Sequence, residues 1–303
     1  MSKIESLTKS RYTIVPKRNW IFSILAIAGL CQLSLPAQAQ ALLPYRLNLN
    51  SEDFEEQGLG ILQDAVQLTR FEQYDLAFPR AKLAAQLVPQ EFRAWFLLGS
   101  LQLQNQDYPG AIDSLETAQT LMPSAEELPE RSGLLFMLGS AYFQNEQYVE
   151  AKQVFKTGLT EDEESIEAWF DLGNTHYKLA EYGDAIAAYR KAIALEADFW
   201  PAINNIGLVV YEQGDSKAAL EAWQEALKID ENAVEPMLAI AVARYAQNPS
   251  EEAIRLGQLA LSLDPAYGDL DFLILNLWGD RLIEDTEQFL ALPAIQDQLS
   301  QFP

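Results

Sequence analysis

The chain holds one histidine, His176, and one cysteine, Cys31. A Cys–His nucleophile pair, a Ser–His–Asp relay and a zinc cluster each need more than these two isolated side chains supply. His176 falls on the apolar stripe of a helical pattern, where a buried structural imidazole is expected. The chemistry left is that of carboxylates. Asp171 and Asp184 have the residue types of an acid–base pair, yet on so acidic a chain they are expected to be solvated. The run Glu161-Asp162-Glu163-Glu164, with Glu167 following, is expected to be a solvated turn. Calcium would call for an Asp-x-Asp-x-Asp-Gly loop, which the run lacks. No catalytic constellation, no metal and no cofactor is expected, and the chain is read as a non-enzyme.

Composition narrows the partners. The 303 residues are 49% hydrophobic and 21% charged, near the averages for globular chains. The 44 acids against 21 lysines and arginines give a net charge of −23 and a pI near 4.3. Such a surface repels phosphate backbones, so nucleic acid is not an expected partner. A basic partner is.

Residues 1–19 carry five positive side chains (Lys3, Lys9, Arg11, Lys17, Arg18) against the single acid Glu5. Trp20–Leu35 has no charge, and Pro36-Ala37-Gln38-Ala39 follows. A basic start, a short apolar stretch and Ala-x-Ala predict a signal peptide over 1–39, cut after Ala39. Sixteen uncharged residues are short against the roughly 20 that a spanning helix needs. The alternative is a retained anchor at Trp20–Leu35, the one route to membrane contact. Cleavage would move the net charge from −23 to −27 and remove Cys31. No thiol would then be left to mispair in an oxidising compartment. Residues 40–57 are read as an N-terminal leader.

A 34-residue self-similarity fills most of the remainder. Trp169, Leu172-Gly173, Tyr182, Ala185, Tyr189 and Ala192 reappear one period on as Ile203, Ile206-Gly207, Ala219, Trp223 and Ala226. One unit back they are Leu135, Leu138-Gly139, Tyr148, Ala151 and Phe155. The register gives six units, 58–91, 92–125, 132–165, 166–199, 200–233 and 234–267, with an insert at 126–131. Trp169, Leu172, Gly173 and His176 have helical spacing, as do Ala185, Ile186, Tyr189, Ala192 and Ile193. Ala180–Gly183 separates them, so each unit predicts two antiparallel helices. Small residues recur where the helices approach: Ala65, Gly99, Gly139, Gly173, Gly207 and Ala241 in the first, Ala77, Ala111, Ala151, Ala185, Ala219 and Ala253 in the second. Residues 268–303 are apolar enough (Leu270, Phe272, Leu273, Leu277, Trp278, Leu282, Ile283) to predict a helical cap over the last unit.

The unit running from Glu167 to Lys178, with Ala185, Tyr189 and Ala192, resembles the tetratricopeptide repeat (TPR) pattern. The first unit departs from it at Ile61 and Asp64-Ala65, the last at Gly257. The resemblance implies an all-α, right-handed solenoid of six helix pairs whose first helices line a concave groove. It places Phe96, Phe136, Phe143, Phe170, Asn174, Tyr177, Lys178, Asn204, Tyr211 and Tyr245 in that groove. Rings there suit a bound peptide, because they offer area with little rotamer entropy to lose. Of the family's lysine and asparagine grip on a C-terminal carboxylate, only Asn174 and Lys178 are present, so a chaperone-tail clamp is not expected.

The segment Phe199–Gly207 is similar to exported or thylakoid-associated TPR proteins of cyanobacteria and plastids, several of which assist assembly of photosynthetic membrane complexes. The resemblance implies a non-enzymatic scaffold in the periplasm or thylakoid lumen that binds a peptide or a membrane-complex subunit. A membrane-anchored assembly factor and an accessory subunit of an exported enzyme are the alternatives.

Overall fold

The computed structural model describes residues 51–123 and 130–301, which belong to one compact unit, Leu49–Pro303. The expected signal peptide, residues 40–50 of the leader and most of the expected insert lie outside the described residues. Among the described residues there are helices and no strand, and no helix is long and apolar enough to cross a membrane.

Six helix pairs follow one another: α1 (Ser51–Arg70) with α2 (Tyr74–Leu87), α3 (Phe92–Gln104) with α4 (Tyr108–Leu121), and α5 (Glu130–Gln144) with α6 (Tyr148–Glu161). Then come α7 (Ile166–Lys178) with α8 (Tyr182–Leu195), α9 (Trp200–Glu212) with α10 (Ser216–Ile229), and α11 (Val234–Gln247) with α12 (Glu251–Leu263). Each pair packs on itself, and its second helix stacks on the first helix of the next pair. The result is an α-solenoid. Helix α1 starts at Ser51, inside the stretch read as leader.

The turn within each of the first five pairs is the same object. One residue adopts the left-handed conformation, at Glu72, Gln106, Glu146, Ala180 and Gly214, with φ between 56° and 90°. The next amide then donates back five residues, as from Glu181 N to His176 O at 2.9 Å and from Asp215 N to Val210 O at 2.9 Å. This satisfies a carbonyl that the helix end would leave orphaned. Asp107, Ser165, Asp215 and Ser250 cap the helices that follow them by accepting from backbone N–H groups.

The small residues explain the pairing. A Cβ on Gly173 would lie 2.4 Å from the Tyr189 ring, and one on Gly207 would lie 2.3 Å from Trp223. Gly99 stands in the same relation to Leu115, and Gly139 to Phe155. A missing side chain on one helix thus admits a large one from its partner, and Phe155, Tyr189 and Trp223 are fully buried. Rings of that size dominate a core energetically. The recurrent alanines of the second helices are buried too.

After α12 come a 3₁₀ turn (Pro265–Gly268), α13 (Leu270–Leu275), α14 (Asp280–Leu290) and α15 (Pro293–Leu299). Helix α15 packs on α12, while α14 lies on α11 and reaches back to α9. Both α9 and α11 are first helices. The turn ahead of α14 repeats the solenoid's own device: Leu277 has φ 67°, and Trp278 N donates to Leu273 O at 3.0 Å.

Candidate functional site

The face built by the first helices divides into a covered part and an open part. Over α9 and α11 the chain's own C-terminal segment is docked. The Glu212 carboxylate accepts from Arg281 N at 3.2 Å and from Leu282 N at 3.1 Å, capping an α14 whose own N-cap, Gly279, has no side chain to do so. Tyr211 Oη donates to Asp285 Oδ2 at 2.6 Å, and the Arg281 guanidinium sits 5.2 Å from the centre of the Tyr211 ring. Trp278 Nε1 donates to Glu235 Oε1 at 3.0 Å.

This docking engages several residues expected to line a free groove. Tyr211 is buried beneath α14 and Tyr245 meets Phe289 edge-on, their ring centres 5.5 Å apart. Tyr177 is buried, with its hydroxyl close against Gly279. Asn204 is fully buried, donating to Asn205 Oδ1 at 3.1 Å. Periodicity within units contains no information about a segment folding back from beyond the last repeat.

Over α3, α5 and α7 no such cover is present among the described residues. Phe96, Phe136, Phe143 and Phe170 are half-buried there and Lys178 is exposed. Phe136 leans on Gly158 of α6, and Phe170 packs edge-on against Phe199 at 5.4 Å. Where the open and covered parts meet lies a cavity of about 230 Å³. Phe143, Phe170 and Asn174 line it, and so do Asp171, which the sequence reading weighed and set aside as solvated, and Ser140, Asn205 and Glu235, which it did not single out as site residues. Leu275–Leu277, ahead of α14, forms a further wall, with Gln144, Phe155 and Pro201 also in the lining. The one readable signal was Asn204-Asn205, a polar pair within the otherwise apolar stretch from Ile203 to Val210.

Asp171 is not the solvated carboxylate expected. Burial pushes its pKa up to about 6, against a partial counter-effect from Ser140, whose Oγ donates to Asp171 Oδ2 at 3.4 Å. Burial likewise pushes Glu235 up to about 7, although Trp278 and Asn204 hydrogen-bond to it. Removing water disfavours the charged form of an acid, and among the described residues no cation stands beside either group to restore it. Behind them runs an amide chain: Tyr189 Oη and Asn205 Nδ2 each donate to Asn174 Oδ1 at 2.9 Å.

His176 is buried, and its Nδ1 lies 2.5 Å from Glu181 Oε2. Lys152 Nζ meets the other Glu181 oxygen at 2.6 Å, and these partners hold the Glu181 carboxyl below its usual range. Asp184 completes a trio whose ligand atoms lie within 4.8 Å of one another. With both Glu181 oxygens already engaged by Lys152 and His176, these contacts tie α6, α7 and the turn before α8. Asp184 stands there, away from Asp171 and the cavity.

A stack of helix pairs, five of the six closed by the same turn and sealed by small-against-large contacts, is a helical repeat scaffold. Family models for the tetratricopeptide repeat match residues 65–126, 132–165, 166–199 and 204–268, and the chain belongs to that family. Comparison with curated proteins gives no match. Among solved structures, YrrB, a TPR protein with an unusual peptide-binding site, is 19% identical with a TM-score of 0.53. That match covers 63% of this chain and 98% of YrrB. MamA from Desulfovibrio magneticus is 17% identical with a TM-score of 0.52, over 60% of this chain and 97% of that one. The Cut9–Hcn1 hetero-tetramer of APC/C gives 15% identity and a TM-score of 0.56, over 79% of this chain and 45% of that one. These likenesses concern the fold.

Proposed function

We propose that this protein is an exported scaffold that captures a peptide or an exposed subunit segment on the open face of α3, α5 and α7. The observation that carries the reading is the contrast along the first-helix face. Half-buried rings and a cavity remain accessible on one part, while the other is closed by the chain's own α14. Preformed, ring-lined concavities bind segments without first ordering themselves, which lowers the entropic cost of association. YrrB, a relative in fold, is described as having a peptide-binding site.

Export follows from the pattern of residues 1–39 and puts the protein in the periplasm or a thylakoid lumen. The scaffold there holds a subunit of a membrane complex during assembly, the use suggested by the Phe199–Gly207 resemblance. The strongly acidic surface favours partners carrying basic segments.

Cross-linking in the native host, followed by recovery of the wild-type protein and of a Phe143→Ala/Gln144→Ala variant, tests the reading. Both residues line the cavity and neither is fully buried. Membrane-complex subunits recovered with the wild type and lost with the variant support it. Equal recovery from both moves binding off this face, and recovery of soluble enzymes alone contradicts the assembly role.

A further inference from the structure

We propose that the cavity framed by α5, α7, α9, α11 and the Leu275–Leu277 turn seats one cationic side chain, lysine or arginine, of the peptide lying in the open groove. The inference rests on the reading above and specifies its ligand.

The lining has the two parts that such a side chain needs. Phe143, Phe170, Leu275, Leu277 and Pro201 supply apolar walls for the methylene stem. Asp171, from α7, and Glu235, from α11, supply the counter-charge. Among the described residues that line the cavity, none is basic. Among the described residues Asp171 is met only by the long bond from Ser140, and Glu235 by Trp278 at Oε1 and by Asn204. Two half-buried carboxylates with no cation beside them among the described residues are costly to ionise, and the burial effect on both groups reflects this.

A second feature also points to a ligand. The Asn174 side chain is only 8% exposed and lines the cavity. Its Oδ1 accepts from Tyr189 and Asn205, which sets the orientation of the amide and leaves Nδ2 to donate to a ligand. A carbonyl of the peptide backbone beside the cationic residue is such an acceptor. An extended peptide with one lysine or arginine therefore meets apolar walls, two carboxylates and an amide donor.

The test uses the protein with residues 1–39 removed and random peptides displayed on phage, panned on the wild type and on an Asp171→Asn/Glu235→Gln variant. These substitutions keep shape and remove charge; unchanged circular dichroism confirms the fold. The expected result is enrichment of one lysine or arginine at a constant place in the selected peptides. A synthetic copy should lose at least about tenfold in affinity when that residue becomes norleucine, and a similar amount on the double variant. The side-chain amide resonances of Asn174 and Asn205 should shift with the lysine peptide.

Equal affinity of the norleucine peptide, or full retention by the variant, overturns the proposal. Enriched peptides without a basic residue overturn it while leaving the peptide-binding reading intact. If no peptide is enriched on either protein, that reading falls as well. Displacement of the lysine peptide by millimolar Ca²⁺ or Mg²⁺, absent in the variant, would reassign the cavity to a metal ion.

Discussion

Phe289 of α14 fills the space above Gly257 of α12: a Cβ on that glycine would lie 2.4 Å from Phe289 Cζ. Leu115, Phe155, Tyr189 and Trp223 occupy the register position of Gly257 in the preceding four units, each seated over a glycine of its partner helix. The last unit has no large side chain of its own there. Its ring comes from the C-terminal segment, which is how that segment is keyed to the solenoid.

Removing the ring should therefore cost about as much as removing a core aromatic. Phe289→Ala is expected to destabilise the protein by ~3–4 kcal/mol. Gly257→Leu alone should also destabilise, by colliding with Phe289. Combined, the two substitutions should cost less than their sum, because the new leucine occupies the vacated volume. Urea unfolding of the four proteins in a double-mutant cycle checks this, and strict additivity would refute the keying.

Docking of α14 also depends on Glu212, which caps it across the sequence. Glu212→Ala should weaken α14 by ~1–2 kcal/mol, the usual effect of losing a cap. Amide hydrogen exchange should then quicken in residues 280–290 while the amides of α5 to α8 keep their protection. Uniform acceleration along the chain would mean that α14 does not open as a separate piece.

The two cavity acids give stability a definite dependence on pH. Their folded-state pKa values, about 6 and about 7, lie above the ordinary 3.8 and 4.5. Between roughly pH 4 and 7 the native state therefore binds more protons than the unfolded chain, so this contribution is full at the acidic end and is lost as pH rises. The loss is on the order of 2 kcal/mol per group, discounted because both face an open cavity. Denaturation midpoints at pH 5 and pH 8 should differ less for Asp171→Asn/Glu235→Gln than for the wild type. An identical difference would mean that the acids are solvated after all.

The left-handed turn residues offer a stabilising change. Ala180 holds φ at 56°, where a Cβ is unfavourable, whereas Gly214 meets the same demand at 90° without one. Ala180→Gly should stabilise the protein by ~0.5–1 kcal/mol and Gly214→Ala should destabilise it by ~1 kcal/mol. Thermal unfolding measures both, and changes in the opposite direction would show that neighbouring contacts govern these turns.

The sequence by itself determined everything that depends on neighbours within one period. The positions of Gly139, Gly173 and Gly207, opposite Phe155, Tyr189 and Trp223, specify how two helices pair, and the 34-residue shift specifies how pairs stack. Those contacts join residues less than two periods apart, so the repeat encodes them. Only the tertiary structure decided what the first-helix face offers. Asp171 and Glu235 stand 64 residues apart, and the stacking of successive units brings both to one cavity, where burial turns ordinary acids into uncompensated ones. Tyr211 and Asp285 are 74 residues apart and meet because α14 folds back onto α9. A periodic pattern has no term for such a return. The apolar residues of the tail predicted that it would cover something, and Gly257, Glu212 and Tyr211 decided where.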